Sequence, residues 1–347
     1  MPIKLDIVNP INYPSWNSLL ALSPNATIFH SSDWAKVLHE SYNYKPIYFS
    51  LIQNNRLKAL IPFMEVKSIL TGKRGVALPF TDYCDPILSE DIPHENIFLH
   101  LSKYGKEAGW KYIEIRGNGG LFHDISSSSF YYGHVLDLTP GEKEIYSRFK
   151  DTIQRNIKKA IKENVGVSII SAAESIREFY RLHCITRKEH GLPPQPLHFF
   201  QKIHEHIISK GHGFIALATH SGRVIAGAIY LHFGEKAIYK YGASDRKYQH
   251  LRPNNLVMWE AIRWYSENGY KDFCFGRTEP ENQGLLQFKR GWGTDEKIIK
   301  YFRYSVNKKR FIESNSSNNT GLHTGIFRAM PIPLSRAIGK VLYKHMG

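Results

Sequence analysis

The sequence has few of the features that mark exported or membrane-spanning proteins. Its 347 residues contain no run of 18 or more apolar residues, so no segment is predicted to span a membrane. The N-terminal stretch MPIKLDIVNP resembles neither a signal peptide nor a transit peptide. The three cysteines, Cys84, Cys184 and Cys274, are far apart and form no CxxC pair. Together these absences predict a cytoplasmic protein without disulfides.

Metal-binding and nucleophile motifs are also missing. Four histidines lie close together in the sequence, but they form no HExxH motif or similar metal-ligand spacing. These histidines are His198, His204, His206 and His212. There is no G-x-S-x-G elbow, and neither Cys84 nor Cys184 lies in an activating pattern. The sequence therefore predicts no bound metal and no covalent enzyme nucleophile.

What the sequence does contain is an excess of positive charge and enough apolar residues for a folded core. The formal net charge is +15, and 42% of the residues are hydrophobic. A surface field of this sign attracts polyanions such as nucleic acid, nucleotide phosphates, anionic lipid or acidic sugar. The length fits two domains or one large domain.

One phrase occurs twice in the chain, 160 residues apart. EAGWKYIEIRG (107–117) and ENGYKDFCFGR (267–277) both read Glu, any residue, Gly, aromatic, Lys and then an alternating apolar run. Each copy follows a predicted helix, a hairpin with a polar turn, another strand and a second helix. The predicted helices are 31–42, 96–109, 197–210 and 255–269, and the hairpins are 49–66, around Asn54-Asn55, and 214–233, around Ser221-Gly222. Ser32 or Asp33 is the predicted N-cap of the first helix.

The order of elements is therefore the same in both halves: helix, hairpin, strand, helix, strand. A strand, a helix and a strand in succession predict a parallel crossover. This order resembles the GNAT acyltransferase fold, so we expect an α/β (α+β) protein of two tandem GNAT-like domains, with mixed sheets flanked by helices. The predicted domains are 1–140, 141–310, and a linker plus a basic amphipathic C-terminal helix at 311–347.

The loop before the second crossover helix is the predicted donor site. In the GNAT fold this helix points its N-terminus at the donor's pyrophosphate, where free N–H groups and the helix dipole favour an anion. Here the loop DRKYQHLRPNN (245–255) has no glycine, and Pro253 removes one N–H donor. Arg246, Lys247 and Arg252 are the candidates to hold donor phosphate by their side chains. The alternative is a solvated basic loop.

A set of segments in the C-terminal half carries a more specific resemblance. The segments are RNIKKAIKENVGVSI (155–169), FYRLHCITRKEHGLP (179–193), YKYGAS (239–244), LRPNNLVMWEAIRW (251–264), FGR (275–277) and GLLQFKRGWG (284–293). Together they resemble the FemAB-type branch of the GNAT superfamily, which includes peptidoglycan interpeptide-bridge aminoacyltransferases and BioF2-like acetyltransferases of exopolysaccharide systems. The resemblance covers about residues 15–305.

The resemblance implies an acyltransferase that acts on an amine of a cell-envelope or exopolysaccharide precursor, such as a nucleotide- or lipid-linked sugar. Acetyl-CoA or another acyl-CoA is one donor that it implies, and aminoacyl-tRNA is the alternative. No counterpart is evident of the long helical hairpin that some bridge enzymes use for tRNA contact, so tRNA is not favoured. No metal is implied.

Candidate site residues follow partly from this resemblance. It places Lys289 in the oxyanion or phosphate role, which an ammonium near a carbonyl oxygen can fill. It likens Arg187 and Lys36 to two residues that hold acceptor phosphate, and a guanidinium fork matches phosphate geometry. It likens Tyr239 and Tyr241 to tyrosines that line the acceptor groove. These two tyrosines alternate on one predicted strand and are expected to share a face.

Two further clusters of charged residues are candidates from the residues themselves. Asp82 and Asp85, in PFTDYCDP, lie in a loop after the first hairpin and are candidates for a general base or for amine binding. The alternative is ordinary turn chemistry, since Asp before Pro often forms turns. Arg277 is a candidate for substrate binding, and with Glu279 and Glu281 it is predicted to form an ion-pair network.

The tail differs from the rest of the chain. Residues 312–325 are rich in Asn and Ser and are predicted to be a linker. After it, Leu334, Ala337, Ile338, Val341 and Leu342 form an apolar stripe, opposed by Arg336, Lys340 and Lys344. This basic amphipathic helix is predicted to dock on the domain, to bind a partner or to lie on an anionic membrane surface.

Three functions remain open from the sequence. The first is FemAB-like transfer of an acetyl or aminoacyl group to an envelope or exopolysaccharide precursor by direct attack. The second is acetyl-CoA-dependent N-acetylation of a small amine. The third is a non-catalytic basic binding or scaffold protein that retains the fold.

Overall fold

The computed structural model describes residues 5–90, 92, 94–117, 121–122, 125–313 and 322–347. The chain divides into two compact units. Unit 1 comprises residues 1–131, 298–316 and 343–347, and unit 2 comprises residues 132–297 and 317–342. The domain boundaries predicted at residues 140 and 310 stay a prediction. Among the described residues, no helix has the length and the apolar composition needed to cross a bilayer.

The helices and strands follow the order that the sequence predicts. Up to residue 137 they are β1 (Asp6–Val8), α1 (Trp16–Ala21), α2 (Ser32–Tyr42), β2 (Lys45–Gln53), β3 (Arg56–Ser68), β4 (Gly72–Val76), β5 (Ile87–Leu88), α3 (His94–Glu107), β6 (Tyr112–Arg116) and β7 (Ser129–Asp137). After it they are α4 (Glu142–Ser147), α5 (Asp151–Lys162), β8 (Gly166–Ile170), α6 (Ser175–Glu189), α7 (Leu197–His206), β9 (Gly213–His220), β10 (Arg223–Phe233), β11 (Lys236–Ser244), α8 (Pro253–Glu267), β12 (Asp272–Thr278), α9 (Gln283–Arg290), β13 (Asp295–Ser305), β14 (Arg310–Phe311), α10 (Leu322–Ala329) and α11 (Ile332–Leu342).

Each unit contains a mixed sheet with one parallel crossover. In unit 1 the strand order is β1-β2-β3-β4-β6-β13, with β5 paired to β3 and β14 paired to β13. In unit 2 the order is β7-β12-β11-β10-β9-β8. The pairs β4·β6 and β11·β12 are parallel, and every other pair within each unit is antiparallel. The predicted crossovers, β4-α3-β6 and β11-α8-β12, are therefore confirmed.

Both predicted hairpin turns are confirmed. Asn54 and Asn55 have φ of 50° and 56°, and Ser221 and Gly222 have φ of 49° and 74°. Two consecutive residues with positive φ are what a two-residue hairpin turn requires when it follows the twist of its strands. The predicted N-cap of α2 is wrong by one residue, because Ser31 is the cap and its hydroxyl accepts the N–H of Trp34 at 3.1 Å.

In unit 2, helices pack on both faces of the sheet. On β9 and β10, Phe214, Ala216, Ala218, Ala226, Ala228 and Tyr230 belong to one core cluster with residues of α4, α5 and α8. The alternate positions face the other way. A Cβ on Gly227 would lie 2.6 Å from Leu217 and 3.7 Å from Phe179 of α6. The period-2 pattern of these strands therefore sorts their side chains between two helical layers.

The predicted C-terminal helix forms α11 and packs against α6 in unit 2. It does so through small residues: Ser335 and Gly339 are buried, and a Cβ on Gly339 would lie 2.1 Å from the Pro194 carbonyl oxygen. The apolar stripe points elsewhere, since Leu334 and Val341 are 53% and 58% exposed. Most of the predicted linker lies outside the described residues, but residues 322–325 belong to α10 rather than to a linker.

Candidate active site

Lys289 is a buried lysine near the end of α9. It is 3% exposed, and Leu286, one turn earlier on the same face, is also buried. The Lys289 Nζ donates to the carbonyl oxygens of Gly276 at 2.9 Å and of Arg277 at 3.2 Å. Burying an ammonium is unfavourable unless hydrogen bonds satisfy it, and these two carbonyls help to do so. The alternative that Lys289 is a solvated surface lysine is excluded.

The turn that follows α9 is packed, which holds this lysine in place. Trp292 is fully buried, and its ring centroid lies 4.9 Å from that of Phe149. The main-chain N–H of Lys150 donates to the Gly291 carbonyl at 2.9 Å. The basic stretch KRGWG is therefore anchored to the segment before α5.

Three charged or titratable residues form a network close to Lys289. His134, on β7, is fully buried, and its Nε2–H donates to Glu296 at 3.0 Å. Glu296 also accepts two hydrogen bonds from Arg290, at 2.7 and 3.0 Å. Burial, and then the charge of Lys289, lower the pKa of His134 below its usual value, so the ring stays neutral. The buried His134 Nδ1 and Thr278 Oγ1 have no hydrogen-bond partner among the described residues.

Sequence reasoning did not find this network. His134 lies within the strand SFYYGHVLD, where a single histidine gives no sequence signal for a buried network. Glu296 follows 162 residues later, so no local spacing links the two residues.

Arg277 lies on β12 and is half-buried, and its carbonyl oxygen is one of the two that bind Lys289. The predicted ion-pair network is wrong. In the part of the chain that the structure describes, neither Glu279 nor Glu281 forms an ion pair with Arg277. Both glutamates lie in the exposed turn after β12, where water solvates them.

The prediction that Tyr239 and Tyr241 share a face is also wrong. The register of the β10–β11 pair shifts by a bulge at Lys240, because Tyr239 lies opposite Tyr230 and Tyr241 lies opposite Ile229. Tyr239 packs on Tyr230, on the α8 face of the sheet. Tyr241 packs on Phe200 of α7, on the other face. Burial raises the pKa of Tyr239 to about 12.

Arg187 and Lys36 lie in different units. Arg187, on α6, is half-buried, and its Nε donates to the Pro193 carbonyl at 3.3 Å. Its charge adds to the effect of burial on His183, one turn away, and together they lower the pKa of that histidine to about 3. Lys36 is half-buried on α2 of unit 1.

Asp82 and Asp85 lie in a loop of unit 1 that is fixed by hydrogen bonds to its main chain. The Tyr301 hydroxyl donates to the Asp82 carbonyl at 2.7 Å. The His30 Nε2–H donates to the Asp85 carbonyl at 2.9 Å. Between them, Cys84 is buried, and burial and the Asp85 charge raise the pKa of its thiol well above the usual value. A protonated thiol is a poor nucleophile, which agrees with the sequence prediction.

The loop at 245–255 leaves three cations exposed beside the start of α8. Its Arg246–Leu251 segment is a 3₁₀ helix that Asp245 caps by accepting the Lys247 N–H at 3.1 Å. Arg252 adopts a left-handed φ of 61°, and Pro253 then begins α8. The Arg246, Lys247 and Arg252 side chains are all exposed. They are therefore placed to meet a phosphate in solution.

A basic pocket of about 460 Å³ lies next to this loop, within unit 2. Three cations, one carboxylate and two isoleucines line it: Lys188, Arg246, Arg328, Glu189, Ile185 and Ile332. Burial raises the pKa of Glu189 above its usual value. Helices α10 and α11 thus add a cation, Arg328, to the surroundings of the predicted donor loop.

Comparison with known proteins gives a matching domain family for part of the chain and a fold for most of it. Residues 147–290 match the family described as "Acetyltransferase (GNAT) domain". The lipid II:glycine glycyltransferase of Staphylococcus haemolyticus is 38% identical over 101 residues, which are 26% of this chain and 24% of that protein. The Staphylococcus aureus enzyme of the same name is 33% identical over 95 residues, 25% of this chain and 22% of that protein. The match thus spans about a quarter of the length of these relatives.

Solved structures share the fold over most of the chain. The crystal structure of FemX covers 88% of this chain and 98% of its own, with a TM-score of 0.65 and 14% sequence identity. A tandem GNAT protein from the clavulanic acid biosynthesis pathway covers 87% of this chain and 99% of its own, with a TM-score of 0.54 and 9% identity. The predicted tandem GNAT-like fold is therefore confirmed. The GNAT-domain match and the similarity to lipid II:glycine glycyltransferases and to FemX support the resemblance to the FemAB-type branch that the sequence segments carry.

Proposed function

We propose that this protein is an acyltransferase that moves an acetyl or aminoacyl group onto an amine of a cell-envelope or exopolysaccharide precursor. The observation that carries the proposal is the buried Lys289 ammonium, which lies within the residues that match the GNAT domain. The similarity to lipid II:glycine glycyltransferases supports a lipid-linked sugar as the acceptor, and a nucleotide-linked sugar is the alternative.

Lys289 acts electrostatically in this proposal. When the amine attacks the acyl carbonyl, negative charge develops on the carbonyl oxygen, and a fixed positive charge lowers the energy of that transition state. The carbonyls of Gly276 and Arg277 fix the ammonium in advance, so it needs no reorganisation. His134 is held by Glu296, and its neutral state avoids a second positive charge beside Lys289.

Attack is direct, without a covalent enzyme intermediate. The thiols of Cys84 and Cys184 are both buried, and burial raises the pKa of each above the usual value. Asp82 is the proposed residue that binds the amine and accepts its proton. Its loop is held in place by the hydrogen bond from Tyr301, as a general base requires.

The acceptor and the donor are proposed to use different cations. Lys36, Arg187, Arg277 and Tyr241 are each proposed to contact the acceptor, whereas Tyr239 packs on Tyr230, on the α8 face of the sheet. Arg246, Lys247 and Arg252 bind the donor phosphates. Acetyl-CoA or another acyl-CoA is the donor that the GNAT match favours, and aminoacyl-tRNA is the alternative that the glycyltransferase relatives favour.

A lipid-linked acceptor would bring the protein to the membrane. We propose a cytoplasmic protein that binds the inner membrane surface through α11, because the exposed Leu334 and Val341 lie on a helix with the basic residues Arg336 and Lys340. An amphipathic basic helix of this kind lies in the headgroup region of anionic membranes.

Product formation tests the proposal. Purified protein is mixed with one acceptor (lipid II, a nucleotide-linked precursor or glucosamine) and one donor (acetyl-CoA or glycyl-tRNA). The mass of the acceptor is then measured. We expect a mass increase of one acyl group, located on the amine, with at least one donor. Acetylation of glucosamine and of no large precursor would establish the second function, N-acetylation of a small amine. No product with any combination would overturn the proposal in favour of a binding protein.

A further inference from the structure

Arg74, in unit 1, is a buried cation whose hydrogen-bond partners are main-chain oxygens and one hydroxyl. It lies on β4 and is 2% exposed. Its guanidinium donates to the Thr71 hydroxyl, to the His345 carbonyl at 2.8 Å and to the main-chain oxygen of Gly347 at 2.8 Å. Among the described residues, no Asp or Glu side chain forms an ion pair with it. Main-chain oxygens of residues 343–347 therefore satisfy a guanidinium that would otherwise be buried without partners.

Main-chain contacts and one aromatic ring hold residues 343–347. The Tyr44 hydroxyl lies 3.2 Å from the carbonyl oxygens of Tyr343 and Lys344 and donates to them. Burial raises the pKa of Tyr44, so the hydroxyl remains a donor. The Tyr343 ring lies 5.8 Å from that of Phe80. A hydrogen bond between neutral groups of this type contributes about 1 kcal/mol, and a bond from the charged Arg74 guanidinium contributes about 1.5–3 kcal/mol.

The surroundings of Arg74 carry net positive charge. Arg74 and Arg303 lie on the ring of Tyr112, at 5.9 and 4.7 Å from its centroid. Glu114 is the carboxylate of the group, and it is paired with both Arg116 and Arg303. Counted over these four side chains alone, three arginines and one glutamate sum to +2. Phosphate oxygens make charge-assisted, bidentate bonds to guanidinium that are about twice as strong as those of neutral acceptors.

This charged group adjoins the loop that carries Asp82. The Arg116 guanidinium lies 5.4 Å from the Tyr301 ring centroid, and the Tyr301 hydroxyl binds the Asp82 carbonyl. Arg116 also donates to the Leu78 carbonyl at 3.2 Å. Leu78 and Phe80 both have positive φ, a conformation that non-glycine residues adopt only when their surroundings enforce it.

We propose that Arg74 is a phosphate-binding residue and that residues 343–347 cover it, so that the segment and a diphosphate group compete for the same guanidinium. This deepens the proposed function, since the diphosphate would belong to the nucleotide- or lipid-linked acceptor. It assigns a binding role to Arg74 that neither the sequence pattern nor the family match indicates.

The test is the affinity of the full chain for inorganic pyrophosphate, measured by calorimetry at low salt. Tyr343→Ala removes the ring that packs on Phe80 and loosens the segment, whereas Tyr343→Phe keeps that ring and is the matched control. We expect Tyr343→Ala to lower the pyrophosphate Kd at least about five-fold and Tyr343→Phe to change it less than about two-fold. Adding Arg74→Lys to Tyr343→Ala keeps the charge but removes the fork, and should abolish the gain.

Two results would overturn the proposal: an unchanged Kd for folded Tyr343→Ala, or a gain that persists without the Arg74 guanidinium. Thermal unfolding of each variant identifies misfolded protein. Repeating the titration with uridine diphosphate and with phosphatidylcholine vesicles that contain phosphatidic acid distinguishes a nucleotide-linked from a lipid-linked phosphate. The measurement needs no turnover. Pyrophosphate binding without acyl transfer would therefore overturn the proposed function alone, and transfer without competition would overturn this inference alone.

Discussion

The two copies of the repeated phrase end in strands that have diverged in charge. In β6, Glu114 and Arg116 pair with each other, and Glu114 also pairs with Arg303. At the corresponding positions of β12 stand Cys274 and Gly276. The first copy thus pairs its charges within the strand layer. The second copy has no charged side chain at these positions, and the Gly276 carbonyl binds the Lys289 ammonium instead.

This difference suggests how a duplicated unit separates stability from chemistry. Burial alone would raise the pKa of Glu114, but the Arg116 and Arg303 charges and hydrogen bonds lower it to about 2. Such a network stabilises a sheet but holds its charges in place. Gly276 has a φ of 70°, next to a bulge in the β12–β7 pair, so its carbonyl departs from the regular ladder. We infer that the cation that stabilises the transition state lies in the second copy.

The largest expected effect is on catalysis by the second copy. Lys289→Met removes the ammonium, and we expect kcat to fall by about 100-fold or more, the loss typical of one oxyanion-stabilising donor. Lys289→Arg should recover part of the rate, because it restores the charge but not the point geometry. The exposed Lys297→Met is the matched control and should keep the wild-type rate within about two-fold. Equal activity of the Lys289→Met variant would remove this residue from the mechanism.

The next effect is on the stability of the first copy. Glu114→Gln leaves two arginines without their carboxylate, and we expect the free energy of unfolding to fall by about 3 kcal/mol. This expected loss is at the low end of the range for breaking a buried ion pair, because the Arg303 side chain is 44% exposed. Glu178→Gln, in an exposed pair with Arg181, should cost less than about 1 kcal/mol. Denaturant unfolding of both variants measures the difference, and similar losses would contradict the assigned role of the buried network.

Acid should destabilise the two copies in different pH ranges. Burial lowers the pKa of His232 to about 4 and, with Arg187, that of His183 to about 3. As the pH falls, the two histidines are therefore protonated in the unfolded chain before they are protonated in the folded protein. Unit 2 loses stability as the pH falls from about 6.5 towards 4 for His232 and towards 3 for His183. The loss is about 2 kcal/mol per histidine at pH 5. Glu114 has a lowered pKa, so its contribution to unit 1 is lost only as the pH falls from about 4.5 to 2.

Calorimetric unfolding at pH 7.5, 5.5 and 4.0 measures these losses. His232→Gln should flatten the loss between pH 7.5 and 5.5, because the variant has one less group to protonate. An unchanged pH profile in this variant would show that other groups control acid stability.

The smallest expected effects come from glycine substitutions, which compare the turn that both copies share with the strand in which they differ. Gly109 and Gly269 end the crossover helices of the two copies with φ of 71° and 79°, and a Cβ on either would meet no atom within 4 Å. Gly109→Ala and Gly269→Ala should each cost about 1 kcal/mol of stability and leave activity unchanged. Gly276→Ala should cost a similar amount but also lower kcat several-fold, because its carbonyl positions Lys289. An unchanged kcat would contradict that positioning role.

Much of the fold was predictable because it depends on local patterns. The hairpins at Asn54-Asn55 and Ser221-Gly222, the crossover helices and the repeated phrase all have short-range signals. The burial of Lys289 depends on long-range packing. The GLLQFKRGWG segment alone therefore did not decide whether this lysine is buried or lies on the surface. The bulge at Lys240 moved Tyr239 and Tyr241 to opposite faces, and nothing in the alternation of YKYGAS indicates a bulge. The His134–Glu296 pair joins residues far apart in the sequence, beyond the reach of periodicity.

The claim that the second copy binds the donor beside Lys289 is tested most directly by hydrogen–deuterium exchange on the full chain. One sample contains acetyl-CoA and another contains glycyl-tRNA. We expect one of the two donors to slow exchange in residues 245–255 and 276–290 and to leave residues 94–117 of the first copy unchanged. Protection confined to 94–117, or no protection with either donor, would contradict the account.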